Sequence, residues 1–260
     1  MNHQSLSKAG PGCIISPNVK IEDNVFIGAR IILDGEGIEI RAGARLDSGC
    51  IIGSNVTVGQ SAWVRAGSVV LQSIPANAIV EGNPANVVGY RSALSKDADP
   101  VPGLIDIYNF DHLGQHPCVF HLNVGKSSLH KMRQTIDPRG SLTVGEVPGE
   151  LPFTPKRYFA VYGVPPSQLR GEHAHKECEQ FLLCLNGSLR VLLDDGFSRC
   201  EVTLDRPDMG VYMPAMVWGT QYKYSSDAVL LVLASMLYEP SDYIRDYDKF
   251  IALVKSARHE

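Results

Sequence analysis

Positive charge, paired cysteines and long apolar runs are all missing from this chain. Its formal net charge is -4 over 260 residues, so no global positive field recruits nucleic acid or an anionic membrane. No apolar run approaches the roughly 18 residues of a membrane helix. Met1 to Gly12 is polar and has no apolar core, which argues against a secretory leader. The six cysteines (Cys13, Cys50, Cys118, Cys178, Cys184 and Cys200) include no CxxC pair. That spacing argues against a zinc site built from them and predicts reduced thiols in a cytoplasmic protein. With 44% hydrophobic and 20% charged residues, the chain is globular rather than disordered.

What the chain does have is turns and short β-branched runs. It carries 24 Gly and 16 Pro, which favours an all-β architecture. In the first third an aliphatic recurs every sixth residue: Ile15, Ile21, Ile27 and Leu33, then, after a one-residue slip, Ile40, Leu46, Ile52, Val58, Val64 and Val70. Two places earlier sit small or aliphatic residues, among them Val19, Val25, Ile31, Ala44, Cys50, Val56, Ala62 and Ser68. A period of six is neither helical nor a hairpin. It predicts a solenoid of three-sided coils, each side turning one aliphatic inward and each coil burying its aliphatics against the next. The slip at Asp34-Gly35-Glu36-Gly37 predicts a loop at a corner.

Residues 12–90 resemble the left-handed parallel β-helix of hexapeptide acyltransferases, including a closing segment, Ser73 to Ala85, similar to that family's terminator. The resemblance implies a trimer that binds acetyl-CoA between neighbouring solenoids, with Gly67, Ser68 and Pro84 lining the groove. Many members use a histidine as general base, and this chain has none between His3 and His112. Two readings therefore stand for this part: an N-acetyltransferase whose substrate amine loses its proton unaided, or an oligomerisation scaffold.

Residues 91–104 lose the hexad and read as a linker, leaving 105–260 as a second domain. Here short alternating segments break at turns, which predicts a β-sandwich or barrel. Gln180 to Leu185, Asn186-Gly187, and Leu189 to Leu193 read as a buried strand, a tight turn and a second strand. Ser241 to Ala257 has helical spacing, through Tyr243, Ile244, Tyr247, Phe250, Ile251 and Val254. The chemistry concentrates at Arg170-Gly171-Glu172-His173-Ala174-His175, where both imidazoles face one side of a strand. Such a pair can serve as an acid–base couple, hold a metal with Glu179, or fill a core. No third histidine follows Pro214 before His259, which weakens the metal reading. Arg139 can equally hold its own turn through Asp137, and Tyr212 and Trp218 can equally be barrel filler.

Lys131 to Leu253 resembles the cupin-fold sugar-nucleotide 3,4-ketoisomerases. The matching motifs are Asp137-x-Arg139-Gly140-x-Leu142, Arg170-Gly171-x-His173-Ala174-His175, Leu192-x-Asp194-Asp195-Gly196, Gly210-x-Tyr212-x-Pro214-x3-Trp218, and Ser241-Asp242-Tyr243-Ile244-Arg245-Asp246-Tyr247. The domain order also resembles bifunctional ketoisomerase/N-acetyltransferases of deoxyamino-sugar pathways for surface polysaccharide. The resemblance implies a mainly β chain: a left-handed β-helix, then a cupin jelly-roll barrel with a short C-terminal helix. It implies conversion of dTDP-4-keto-6-deoxy-D-glucose to its 3-keto isomer, with His173 as base and His175 as its partner. Arg139 and Arg170 would bind the keto oxygens or diphosphate, and Tyr212, Trp218 and Tyr222 the sugar or base. No cofactor or metal is expected for isomerisation, and acetyl-CoA is expected only at the first domain. Partners are limited to the dTDP-sugar and other copies of the chain: a trimer through the β-helix, a dimer through the barrel, or a hexamer combining both. Some ketoisomerases carry histidine or arginine where this chain has Gly219, and Arg139 points to the galacto-configured product. A competing reading makes the acetyltransferase the working part and the barrel a non-catalytic sugar-nucleotide binder. A third is a scaffold without activity.

Overall fold

A computed structural model describes residues 9–91 and 117–257, so most of the 91–104 linker, the start of the second domain, His112 and His259 lie outside the described residues. The chain divides into two compact units, Met1–Pro102 and Gly103–Glu260.

The first unit is a solenoid of stacked coils. Its ten two-residue strands are Ile14–Ile15, Lys20–Ile21, Phe26–Ile27, Ile32–Leu33, Glu39–Ile40, Arg45–Leu46, Ile51–Ile52, Thr57–Val58, Trp63–Val64 and Val69–Val70 (β1 to β10). The aliphatic of every hexad is the second residue of its strand. From Ile27 onward all eight of these are 3% exposed or less, while the open first coil leaves Ile15 and Ile21 half-buried. Each inward Leu or Val contributes roughly 1.5–3 kcal/mol of burial. Strands stack in parallel on three sides, β1-β4-β7-β10, β2-β5-β8 and β3-β6-β9. One turn carries Ile14 onto Ile32 but Lys20 onto Glu39, so the slip at Asp34–Gly37 is absorbed as one extra residue in the coil that crosses it. Two longer strands, β11 (Ala78–Gly82) and β12 (Ala85–Tyr90), close the stack as an antiparallel hairpin on the third side.

The second unit is an antiparallel barrel of two sheets. One has the order β13 (Cys118–His121), β14 (Ser128–Lys131), β22 (Met209–Met213), β19 (Gln180–Asn186), β24 (Val229–Ala234) and β17 (Arg157–Tyr162). The other runs β21 (Arg199–Leu204), β20 (Leu189–Asp194), β23 (Trp218–Tyr222), β18 (Arg170–His175) and β25 (Tyr243–Ile244). A separate hairpin pairs β15 (Arg133–Asp137) with β16 (Gly140–Val144). Leu182, Cys184, Val211, Met213 and Val232 of the first sheet pack with Val191, Leu193, Val202 and Leu204 of the second in one core.

Two expectations change here. The strands flanking Asn186-Gly187 are both present, but they do not pair: β19 lies in one sheet and β20 in the other, so the turn carries the chain around a corner between sheets. Gly187 is left-handed there (φ 66°), and a Cβ would stand 2.3 Å from the Ser225 hydroxyl. The helical stretch at the C-terminus is also shorter than its spacing implied. Asp246 caps it by accepting the Lys249 amide at 2.9 Å, so the helix is Tyr247–Ser256. Tyr243 and Ile244 instead pair with His175 and Ala174 as an edge strand. All six cysteines are free thiols, and no helix among the described residues is long and apolar enough to cross a membrane.

Candidate active site

Strand register decides which side chains meet the histidines. Across three strands, His173 pairs with Gly219 and Gly219 with Leu193, and Leu193 belongs to the barrel core. Paired residues share a face, so His173 and His175 point inward. Ala174, between them, faces outward under the C-terminal helix with Trp218, Ile244 and Phe250. The two imidazoles meet edge to face, ring centres 5.0 Å apart, and Tyr243 lies 5.0 Å from one and 4.3 Å from the other.

A β-bulge sets the position of His173. Gly171 pairs with Thr220 and His173 with Gly219, leaving Glu172 as the extra residue at φ 53°. Gly171 is also left-handed (φ 78°), and a Cβ on it would stand 2.6 Å from the Gly219 carbonyl oxygen. The bulge brings the Gly171 carbonyl to 2.8 Å from His173 Nδ1. A carbonyl oxygen can only accept, so Nδ1 carries the proton and Nε2 is left with a lone pair. That Nε2 is buried and has no hydrogen-bond partner. Burial pushes the His173 pKa down to about 4, with the neighbouring His175 and the Arg245 charge adding to the fall. At neutral pH this imidazole is therefore an uncharged base. Burial likewise raises Glu172.

His175 is built differently. Its Nδ1 donates to Asp242 Oδ2 at 2.6 Å, and its Nε2 receives the Gln180 amide at 3.0 Å. Asp242 Oδ1 accepts the Glu177 amide at 2.8 Å. Burial lowers the His175 pKa against the pull of Asp242. The Asp242 carboxyl is itself held below its ordinary value, because the bonds from His175 and Glu177 outweigh its burial. So one imidazole is bare at Nε2 and the other is occupied at both nitrogens. Neither Asp242 nor Gln180 was read from the sequence as a site residue. Asp242 lay within a quoted motif, but only the pairing of β25 with β18 brings it to His175 from 67 positions away.

The other expected residues lie apart from the pair. Tyr212 pairs with Phe181, on the face opposite the core residues Val211 and Met213, and donates its hydroxyl to Glu179. Trp218 packs edge to face on Tyr247 at 5.2 Å. Tyr222 donates to Glu201, which also takes Arg190 at 2.6 Å. All three lie on the faces of their strands opposite to the one that carries the histidines. Arg139 stands at the tip of the β15–β16 hairpin, 89% exposed and paired with Asp137 at 2.6 Å. Arg170 opens β18, exposed at the barrel mouth. At Gly219 a Cβ would meet the Met213 sulfur at 2.6 Å, so the thioether fills the space that a side chain there would enter.

One group among the described residues could hold a cation: His175, Cys178 and Asp242, with donor atoms within 4.8 Å of one another and all buried. Spacing among cysteines alone gave no sign of it. Its imidazole and carboxylate are already bonded to each other.

On the solenoid, Gly67 faces open space and Pro84 is exposed in the closing hairpin. Ser68 is fully buried, and its hydroxyl donates to the Arg65 carbonyl at 2.6 Å. The solenoid residues described, 9–91, include no histidine.

Residues 125–255 match the family described as FdtA: WxcM-like, C-terminal. The chain is 48% identical over 125 residues to the TDP-4-oxo-6-deoxy-alpha-D-glucose-3,4-oxoisomerase of Aneurinibacillus thermoaerophilus, covering 48% of this chain and 90% of that protein. It is similar to a crystal structure of a mutant of the 3,4-ketoisomerase QdtA from Thermoanaerobacterium thermosaccharolyticum in complex with TDP-4-keto-6-deoxyglucose. That match has 34% identity and a TM-score of 0.50, over 51% of this chain and 96% of that one. Over 85 residues the chain is 36% identical to the serine acetyltransferase of Salmonella typhimurium, covering 30% of this chain and 31% of that protein.

Proposed function

The chain belongs to the FdtA family (WxcM-like, C-terminal), and on that premise we propose that His173 is the base of a TDP-sugar 3,4-ketoisomerase acting on TDP-4-keto-6-deoxyglucose. The observation that carries this reading is the bare, buried Nε2 of His173, opposite an Nδ1 fixed in its protonated tautomer. A ketone at C4 acidifies the proton on C3. Nε2 takes that proton, giving an enediolate. The proton on the C3 oxygen moves to the C4 oxygen, C4 is reprotonated, and the ketone ends at C3. An uncharged imidazole within a barrel needs no further activation to accept the first proton. His175, fixed by Asp242 and Gln180, is its partner in moving protons. It joins a relay only once Gln180 releases its Nε2 lone pair. Arg170 at the mouth is a candidate for the substrate's anionic oxygens.

The N-terminal part is acetyltransferase-like. Its own activity is a separate proposal: transfer from acetyl-CoA to an amino sugar whose amine is already unprotonated, with Gly67 and Pro84 as the surface a CoA would cross. The lack of a solenoid imidazole favours the scaffold alternative. Turnover of acetyl-CoA with a TDP-3-amino sugar separates the two, and mass measurement in solution separates trimer, dimer and hexamer. Free thiols and a water-soluble nucleotide substrate both fit a cytoplasmic reaction.

The isomerase is tested by incubating the protein with TDP-4-keto-6-deoxyglucose in D2O and following the sugar by NMR. Deuterium at C4 of a 3-keto product is expected. Absence of exchange, or exchange at C5 alone, would overturn it.

A further inference from the structure

The loop that leaves the histidine strand gathers three metal donors. β18 ends at His175, and Cys178 follows three positions later, before β19 begins. The loop wraps the 3-10 turn Pro240–Asp242. The Lys176 amide donates to the Asp242 carbonyl at 2.9 Å, the Lys176 ammonium to the Ser241 carbonyl at 2.6 Å, and the Glu177 amide to Asp242 Oδ1 at 2.8 Å. These bonds hold the His175 imidazole, the Cys178 thiol and the Asp242 carboxylate with their donor atoms within 4.8 Å of one another. All three side chains are buried, at 2%, 2% and 7% exposure. Proton transfer at the histidines gives the thiol no task. Its sulfur makes long contacts, 3.5 Å to the Glu179 carbonyl and 4.0 Å to the Ser235 hydroxyl, so little holds its proton. Glu179, the carboxylate in metal spacing with the two histidines, instead accepts the Tyr212 hydroxyl.

The donor set selects the ion. Calcium and magnesium take oxygen, whereas one imidazole, one thiolate and one carboxylate suit zinc and its neighbours. Around a tetrahedral zinc, with bonds of about 2.0–2.3 Å, neighbouring donors stand roughly 3.3–3.7 Å apart. Here His175 Nδ1 and Asp242 Oδ2 are 2.6 Å apart, so an ion must part them slightly as it draws the sulfur in. Two arginines oppose it. The register Arg157–Ala234–Gln180–Met213 turns Arg157 inward, since Met213 belongs to the core, and the charges of Arg157 and Arg245 both reach His175. The thiolate and the carboxylate supply two negative charges against the ion's two positive ones.

We propose that His175 Nδ1, Cys178 Sγ and Asp242 Oδ2 form a site for a zinc-class divalent ion, and that the ion, when bound, silences His175 as a proton partner. The silencing rests on the ketoisomerase reading, and the binding does not. Cys178 loses its thiol proton to solvent. The proton on His175 Nδ1 gives way to the metal and is replaced by one on Nε2, so the imidazole stays neutral. Gln180 turns its amide so that its oxygen accepts the new Nε2–H. One proton is released per ion, and His175 no longer has a lone pair with which to take a proton.

Cobalt(II) is the optical probe, added to the full chain after chelation. Wild type should show a thiolate-to-cobalt absorption band, which an equivalent of zinc then erases. Calorimetry of zinc binding in buffers of different ionisation enthalpy should find about one proton released per ion. Cys178→Ser should lose the band, bind zinc more weakly by about tenfold or more, and keep exchanging deuterium at zinc levels that stop the wild type. Cys178→Ala serves if the serine variant does not fold. The absence of a band in the wild type overturns the site. So does a band that survives the loss of Cys178, which would assign it to the other thiols. Zinc bound through Cys178 with exchange within twofold of the metal-free rate overturns the silencing. Wild type that exchanges no deuterium even without metal would instead sink the ketoisomerase reading, and the cobalt spectrum would still decide the site.

Discussion

The two halves of this chain bury different things. Among the described residues of the solenoid the buried polar ones are Ser68 and Asn77, neither of them ionisable. The barrel buries His130, Lys131, His175, Asp194, Glu201, Asp208 and Asp242. A repeat whose coils each face an identical neighbour is stabilised by uniform apolar stacking, and it leaves no position where a charge is needed. A closed barrel brings distant strands together, and there polar side chains can be buried in pairs. Uniform stacking thus holds the solenoid, while the barrel is where buried polar side chains meet.

That contrast breaks most sharply at His173. His173→Asn should lower the rate of deuterium incorporation by about 10²- to 10⁴-fold, the usual contribution of a positioned base, while leaving the solenoid's unfolding unchanged. A rate within tenfold of wild type would remove the barrel's claim to the chemistry. The converse change lies in the solenoid. Leu46 is fully buried, and Leu46→Ala should cost about 2–5 kcal/mol in denaturant unfolding of that half with no effect on exchange by the barrel. Asp242→Asn tests whether the buried pair positions His175. A fall of about 10- to 100-fold is expected, toward the low end of acid–base effects, together with a displaced pH profile. A loss of folding alone would shift neither profile nor KM.

The pH response is gentler. Because His173 titrates near 4 when folded, kcat/KM for exchange should stay level from pH 8 to about 5 and fall by half near pH 4. Stability follows the same group. The unfolded imidazole, near 6.5, takes its proton first, so the full stability present above pH 6.5 is lost as pH drops through about 4, by up to about 3 kcal/mol. Melting measured from pH 7 to 4 checks the sign.

The sequence displayed the solenoid almost completely, since a six-residue period is local and each hexad aliphatic is the inward residue of its own strand. His173 and His175 were legible for the same reason, being two apart on one strand. What stayed hidden depended on pairing between distant segments. Asp242 reaches His175 only because Tyr243–Ile244 pairs as a strand within an apparently helical stretch. Tyr212, Trp218 and Tyr222 carry the residue types of a sugar site, and strand parity sets them on the faces opposite to the histidines. Arg157, in a segment read only as a strand, is turned inward by the same rule. Composition shows which side chains are present, and register decides which of them meet.

The proposed proton transfer depends on one atom, His173 Nε2, and nitrogen NMR of labelled protein observes it directly. His173 should appear at pH 7 as a neutral imidazole with its proton on Nδ1 and a bare Nε2, titrating near pH 4. A His173 that carries its proton on Nε2, or that titrates near 6.5 like a free imidazole, would contradict it.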